Sequence, residues 1–395
     1  MNFKKLTGNS IFDGYKMLTG KNVLITDEAG IIVDVADIAD AGDDIEFYDG
    51  MLCPGFINVH CHLELSHLKG LIQQQTGLPE FILKIVGLRH IASEKINEAI
   101  ANAEEEMFNN GIVAVGDICN TASTIFQKKK GKILYHNFIE LSGVPPYIAL
   151  ERFDRANEML KEFYRSNDEW RISLVPHAPY SVSPELFGLI NNGTANQIIS
   201  IHNQETASEN ELFEQGTGGF MEMFDNMNID RSFFKHTGKS SLQTWLPYFN
   251  NNQSLILVHN IATSEKDMEF LTYSPYANLH STFLCLCPNA NLYISNTLPD
   301  VNLLMEQNVN IVLGTDSLAS NHQLSIWEEI KTLQSNFPNL SFAILLKWAT
   351  INGAKALGMD DFLGSFEKGK QPGVLVLEGM NEACRIGRNK AKRII

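Results

Sequence analysis

No stretch of about 18 consecutive apolar residues, the length a membrane-crossing helix needs, occurs anywhere in this 395-residue chain. Met1 to Thr7 lacks the apolar core of a leader, so neither a signal peptide nor an anchor is expected. Positive charge is short: 31 Lys and Arg face 46 Asp and Glu, a formal charge of -15. That balance argues against nucleic acid and membrane as partners and leaves a small molecule as the expected one. Cysteine is sparse and scattered, at Cys53, Cys61, Cys119, Cys285, Cys287 and Cys384, which excludes a disulfide framework and suits reduced thiols in a cytoplasmic protein. Internal repeats and low-complexity tracts are absent. A hydrophobic content of 44% suffices for one large domain with a small one beside it.

What is present is an α/β pattern. Residues 11–52 read as short strands and turns, with 22–26 and 31–35 flanking the polar turn Asp27-Glu28-Ala29-Gly30 as a hairpin. Beyond them, apolar runs alternate with longer helical segments, as βα units around a parallel sheet do. Eight runs qualify as strands: 55–60, 112–117, 133–140, 172–177, 198–202, 255–259, 283–287 and 311–316. This periodicity leaves barrel and open sheet both open. A helix is expected from Ser341 to about Leu357, ended by Gly358. Residues 374–377 read as a strand rejoining the N-terminal ones. Loops 63–91 and 206–252 are unusually long.

Four of the strand-like runs end in a metal-ligand type: His60 with His62, His202, His259 and Asp316. Residues two apart on a strand point the same way, so His60 and His62 can bind one ion together while Cys61 faces away. One His-x-His is weak, but four strand ends carrying ligand types form a set, and barrel active sites lie at the carboxyl ends of strands. Cys285-Leu286-Cys287 has no second pair and reads as packing.

These motifs also carry a family resemblance. Pro54-Gly55-Phe56-Ile57-Asn58-Val59-His60-Cys61-His62-Leu63-Glu64-Leu65-Ser66 resembles the first-strand signature of the amidohydrolase superfamily. Pro176-His177-Ala178-Pro179-Tyr180-Ser181-Val182-Ser183 is similar to the fourth-strand motif of the branch holding S-adenosylhomocysteine, aminodeoxyfutalosine and guanine deaminases and the triazine hydrolases. His202-Asn203-Gln204-Glu205, Leu257-Val258-His259-Asn260 and Leu313-Gly314-Thr315-Asp316-Ser317-Leu318-Ala319-Ser320-Asn321 resemble its later landmarks, in order. The resemblance implies an α/β fold, a (β/α)8 TIM-like barrel of residues 53–365, with a small β-sandwich domain formed from both chain termini, 1–52 plus 366–395. It implies metal ligation by His60, His62, His202 and Asp316, with His259 beside the activated water, His177 touching substrate, and a homo-oligomer, at simplest a homodimer. Two stretches depart from the branch: Pro288-Asn289-Ala290-Asn291 replaces Pro-x-Ser-Asn, and Gln371-Pro372-Gly373-Val374 replaces Ala-Asp followed by an aliphatic residue.

The expected chemistry is hydrolytic deamination of an amino-substituted heterocycle, nucleoside or base-like. One divalent ion, zinc before iron(II) or manganese(II), would activate water, with Asp316 as base and His259 orienting the attack. Glu205, three residues after His202, would protonate a ring nitrogen and serve departing ammonia. His177 stands where binuclear relatives carry a bridging carbamylated lysine, which favours one ion unless Glu140 bridges. Glu64 either reaches substrate or orders a loop by hydrogen bonding. The cytidine-deaminase type is excluded, because P-C-x-x-C is absent although His62-Leu63-Glu64 matches its first half. Two alternatives stay open: a hydrolase of the same fold that opens a cyclic amide or displaces chloride, and a non-catalytic barrel.

Overall fold

The computed structural model describes residues 3–89, 93–307, 309–379 and 390–395; Cys384 lies outside them. The chain opens with β1 (Lys4–Ile11), β2 (Asn22–Thr26), β3 (Ile32–Asp37) and β4 (Ile45–Pro54). The β2–β3 hairpin turns where expected. Asp27 Oδ1 accepts the backbone N–H groups of Ala29 and Ile31, both at 2.9 Å, and Gly30 takes the left-handed φ of 85° that the turn requires.

Eight parallel strands follow: β5 (Phe56–Cys61), β6 (Ile112–Cys119), β7 (Leu134–Leu141), β8 (Arg171–Pro176), β9 (Ile198–Asn203), β10 (Ser254–His259), β11 (Thr282–Leu286) and β12 (Asn310–Leu313). They form two four-stranded sheets, β5-β6-β7-β8 and β12-β11-β10-β9. Period-2 alternation divides their side chains between two apolar clusters. Leu255, Leu257, Leu284, Leu286, Ile311 and Leu313 pack in one with the surrounding helices. Ile256, Val258, Phe283, Cys285 and Val312 pack in the other, with Phe138, Val175 and Leu357. Both sides of every strand are buried, so the sequence shows continuous apolar runs.

The sheets meet through their strand ends. Thr315 and Asp316 donate backbone N–H groups to His60 O at 3.0 and 3.1 Å, and His202 N–H reaches His177 O at 3.0 Å. The last strand stops at Leu313, earlier than expected. Gly314 runs so close to β5 and β11 that a Cβ there would stand 2.9 Å from His60 Cβ and 3.0 Å from two cysteine sulfurs, and the chain then turns away.

The return strands β13 (Val374–Glu378) and β14 (Ala391–Arg393) join the N-terminal ones in a six-stranded sheet of order β14-β13-β4-β1-β2-β3. β13 runs antiparallel to β4 from Val374 opposite Pro54 to Glu378 opposite Gly50. The single helix expected to 357 is two, Phe342–Ala349 and Ile351–Ala356. Thr350 breaks it at φ -125° and ψ -96°, its hydroxyl bonded to Leu346 O at 2.7 Å. The long loops hold short helices, Leu78–Leu88, Ala207–Gln215 and Gly219–Asn226 among them. No helix of the described residues is long and apolar enough to cross a membrane.

Candidate metal centre and active site

His60 and His62 leave the end of β5, His202 sits one residue from the end of β9, His259 ends β10, and Asp316 lies three residues past β12. Their side chains converge. Asp316 Oδ1 stands 3.4 Å from His62 Nε2 and 3.7 Å from His60 Nε2, and the Nε2 atoms of His62 and His202 are 3.2 Å apart. The ring of His60 lies 4.8 Å from that of His202 and 5.9 Å from that of His259. Burial, reinforced by neighbouring imidazoles, pushes the pKa of His60 and His62 well below the ordinary histidine value, and that of His202 down to about 4. The histidines are therefore neutral and offer lone pairs.

Hydrogen bonds fix which nitrogens those are. His202 Nδ1 donates to His177 O at 2.8 Å, leaving Nε2 bare. His259 Nδ1 donates to Asn291 Oδ1 at 2.8 Å, so its Nε2 is bare too and finds no partner in the protein. Both nitrogens of His60 and Nδ1 of His62 are likewise buried without partners. Buried polar atoms normally find partners. Orphaned imidazole nitrogens around one carboxylate, with donor atoms inside 4.8 Å of one another in the sets His60, His62, Asp316 and His60, His202, His259, fit a divalent cation of the zinc, iron or manganese type.

Several supports carried no sequence signal of their own. Ser320 Oγ donates to Asp316 Oδ2 at 2.6 Å, turning Oδ1 toward the histidines. Asn58 braces the Asp316 turn, receiving Thr315 N–H at 3.0 Å. The buried carboxylate of Glu329 receives Asn289 N–H and Asn321 Nδ2, both at 2.9 Å, tying the helix that carries Asn291 (Pro288–Ser295) to the Asp316 loop. Backbone strain gathers here as well: Gln204, His259, Asn260 and Asp316 take positive φ of 47, 78, 59 and 56°. Such conformations cost about 1–3 kcal/mol each and persist where the surroundings over-determine them.

A cavity of about 440 Å³ opens over the cluster, with His62, His177, His202, Glu205 and Asp316 at its floor and Phe81, Ile85, Met223 and Phe224 on its walls. Glu205 is buried rather than a solvated loop carboxylate, with Oε1 3.6 Å from His259 Nε2. Burial, then the Asp316 and Glu209 carboxylates, raise its pKa well above the usual carboxyl range. His177 Nδ1 donates to Ser181 Oγ at 2.6 Å, since that hydroxyl itself donates to Ala178 O, and its Nε2 is left as an acceptor.

Glu64 does not line this cavity. Its Oε2 accepts Asn120 N–H at 3.2 Å, Thr121 N–H at 2.9 Å and Thr121 Oγ1 at 2.7 Å, which is the loop-ordering arrangement. Cys61 packs in the helix-side cluster, Cys285 and Cys287 pack around Gly314, and the five described cysteines are free.

A parallel α/β fold that gathers four histidines and an aspartate at its strand ends is the architecture of a metal-dependent hydrolase. The chain belongs to the amidohydrolase family, whose model matches residues 51–391. It is 28% identical over 342 residues to an adenosine deaminase of Helicobacter pylori, covering 85% of this chain and 80% of that protein. Its fold matches the crystal structure of Helicobacter pylori aminofutalosine deaminase in complex with methylthio-coformycin, at 23% identity and a TM-score of 0.80, over 99% of this chain and 100% of that one. It also matches an adenosine deaminase from Xanthomonas campestris with bound zinc, at 22% identity and a TM-score of 0.70, over 95% and 84%.

Proposed function

We propose that the protein is a hydrolytic deaminase that releases ammonia from an amino-substituted heterocycle of nucleoside or base type, using one divalent ion, zinc in the first place. The observation that carries this reading is the set of bare nitrogens of His60, His62 and His202 around Asp316 Oδ1 beneath the cavity. Those four residues would hold the ion. When bound, it supplies the Lewis acidity that brings the pKa of water toward neutrality.

The chain's own groups do the rest. His259 turns its Nε2 lone pair into the floor and aligns the attacking water, held in that tautomer by Asn291. Water adds to the amino-bearing ring carbon while its proton passes to Asp316. Burial favours the protonated form of Glu205, which gives its proton to the adjacent ring nitrogen. Glu205 then takes the proton of the added hydroxyl and passes it to the amino group, the C–N bond breaks as ammonia leaves an oxo-substituted ring, and the proton held by Asp316 returns to Glu205. His177 offers Nε2 to a substrate N–H or hydroxyl.

In this reading the two parallel sheets close as a (β/α)8 barrel over 53–365, supported by the hydrogen bonds from His202 to His177 and from Asp316 to His60. Residues 1–52 and 366–395 form the separate small β-sandwich domain. Buried free cysteines support a reducing, cytoplasmic setting, and the homodimer suggested by family resemblance is read by light scattering.

The test is ammonia release by zinc-loaded protein across adenosine-type nucleosides, adenine, guanine and aminotriazines, with Asp316→Asn as control. Release from one member and none from the control is expected. Chloride release or ring opening without ammonia would move the assignment to the related hydrolases.

A further inference from the structure

We infer that Glu140 determines specificity: its free carboxylate oxygen accepts a hydrogen bond from a hydroxyl on the ring's substituent, which makes the substrate a glycosylated heterocycle rather than a free base or an alkylated ring. The inference rests on the deaminase reading for the reaction and on Glu140 itself for the substrate class.

Glu140, near the end of β7, is oriented before any ligand arrives. Asn120 Nδ2 donates to its Oε2 at 2.8 Å. Asn120 is held in turn, because Glu64 Oε2 takes its backbone N–H at 3.2 Å and that of Thr121 at 2.9 Å. Two buried carboxylates thus share one asparagine, which sets the Glu140 carboxyl plane. Its other oxygen, Oε1, is buried without a partner on a side chain only 4% exposed, in the wall of the cavity. An unmatched buried acceptor carries a desolvation cost that a donor inside the cavity relieves.

No protein group fills that role. His202 Nδ1 lies 3.8 Å away but gives its proton to His177 O. The same fact disfavours a second ion among Glu140, His177 and His202, whose atoms lie within 4.8 Å of one another, since His202 turns a protonated nitrogen toward the carboxylate. A donor inside the cavity has to meet this oxygen, and a bound substrate supplies one in place of water.

Its place on the substrate follows from His202. The Nε2 of this ring faces His62 and the reacting centre, and Nδ1 faces Glu140, so an imidazole separates Glu140 from the chemistry. Glu205, the partner of the ring nitrogen, lies on the His259 side. The group that meets Glu140 therefore hangs from the ring. Arg89 and Arg152 line the same cavity and disfavour an ammonium there, which leaves a neutral donor, and a hydroxyl is the one that a glycosyl substituent supplies.

The experiment separates binding from turnover by titrating zinc-loaded wild type, Glu140→Met and Glu140→Gln with inosine and 2′,3′-dideoxyinosine in a calorimeter. These oxo-nucleosides lack the amino group and are not consumed. The wild type is expected to bind inosine about 10- to 100-fold more tightly, the range of a hydrogen bond to a charged group. Glu140→Met should bring the ratio near unity by weakening inosine alone, with the isosteric Glu140→Gln in between and safe for folding. A wild-type ratio near unity, a ratio unchanged in Glu140→Met, or no binding of either compound overturns the assignment. Adenosine deamination is measured in parallel: discrimination without ammonia release brings down the deaminase reading alone, and ammonia release without discrimination brings down the role of Glu140 alone.

Discussion

Asn291 fixes the ring of His259 by accepting its Nδ1 proton at 2.8 Å, which turns the unprotonated Nε2 toward Glu205 and the floor of the cavity. Without that acceptor the imidazole is free to carry its proton on either nitrogen. Asn291→Ala is expected to lower kcat by about 10- to 100-fold, the usual effect of losing an orienting partner, with KM little changed. Asn291→Asp keeps an acceptor and should recover most of the activity. Equal activity in all three proteins would remove His259 orientation from the mechanism.

Ser320 does for Asp316 what Asn291 does for His259. Its hydroxyl holds Oδ2 at 2.6 Å, so only Oδ1 faces the histidines. In Ser320→Ala the carboxylate can rotate, and zinc affinity should fall by about 10- to 100-fold, with Ser320→Thr retaining it. Competition against a chelator of known affinity, followed by metal analysis, reads this without any substrate. Unchanged retention in Ser320→Ala would show that the Asp316 turn is held by its backbone alone.

Glu205 can be tested by the leaving group. Glu205→Gln keeps the shape of the side chain and removes its proton donor. Ammonia release should drop by about 10²- to 10⁴-fold, the range of general acid catalysis, with zinc content unchanged. Chloride leaves without a proton, although its ring still takes one from Glu205, so 6-chloropurine riboside should be affected less. Equal losses on both substrates would confine Glu205 to the ring nitrogen and remove it from ammonia departure.

The sequence made the eight parallel strands legible because each is buried on both sides and reads as an unbroken apolar run. The convergence of His60, His62, His202, His259 and Asp316 was legible because each closes or follows such a run. Ser320 and Asn291 stood inside the motifs and Glu140 was weighed only as a bridging ligand; their roles were not legible, since a lone polar residue in a loop, on a short helix or near a strand end has no periodicity, and its role depends on a partner 4, 32 or 20 residues away. The loop-ordering role of Glu64 was one of two readings that its place after His62 allowed; its partners Asn120 and Thr121 come from the loop beyond β6. The break at Thr350 escaped because helix periodicity runs through it, and the interruption lies in backbone angles alone.

Beneath the site lies a buried pair. Lys128 Nζ is 2.5 Å from Asp117 Oδ2, and both side chains are wholly inaccessible. Asp117 Oδ1 also receives Leu63 N–H at 2.8 Å, directly after His62. Lys128→Met would leave the Asp117 charge buried without its counter-ion, at a cost of about 3–5 kcal/mol. Urea unfolding should show that loss, and the double variant Asp117→Asn with Lys128→Met should recover part of it. Additive losses would indicate that the pair acts as two independent groups.

His136 gives the fold a pH dependence separable from that of the site. At the start of β7 it bonds Ser173 Oγ at 2.9 Å, and burial holds its pKa down to about 4. In the unfolded chain the value returns to about 6.5. Between these values the unfolded state binds a proton that the folded state refuses, so stability rises with pH across the window and is lost as pH falls from about 6.5 toward 4. The loss contributed by His136 should approach 3 kcal/mol near pH 4, at about 1.4 kcal/mol per pKa unit. The histidines of the cavity titrate in the same direction, so the wild-type slope alone does not isolate His136. His136→Gln supplies the comparison, because it can keep the Ser173 hydrogen bond and cannot ionise. Its urea midpoint, followed from pH 7 to pH 4, should fall less steeply than that of wild type by the equivalent of one proton, and parallel curves would mean that His136 is charged in the folded protein as readily as outside it.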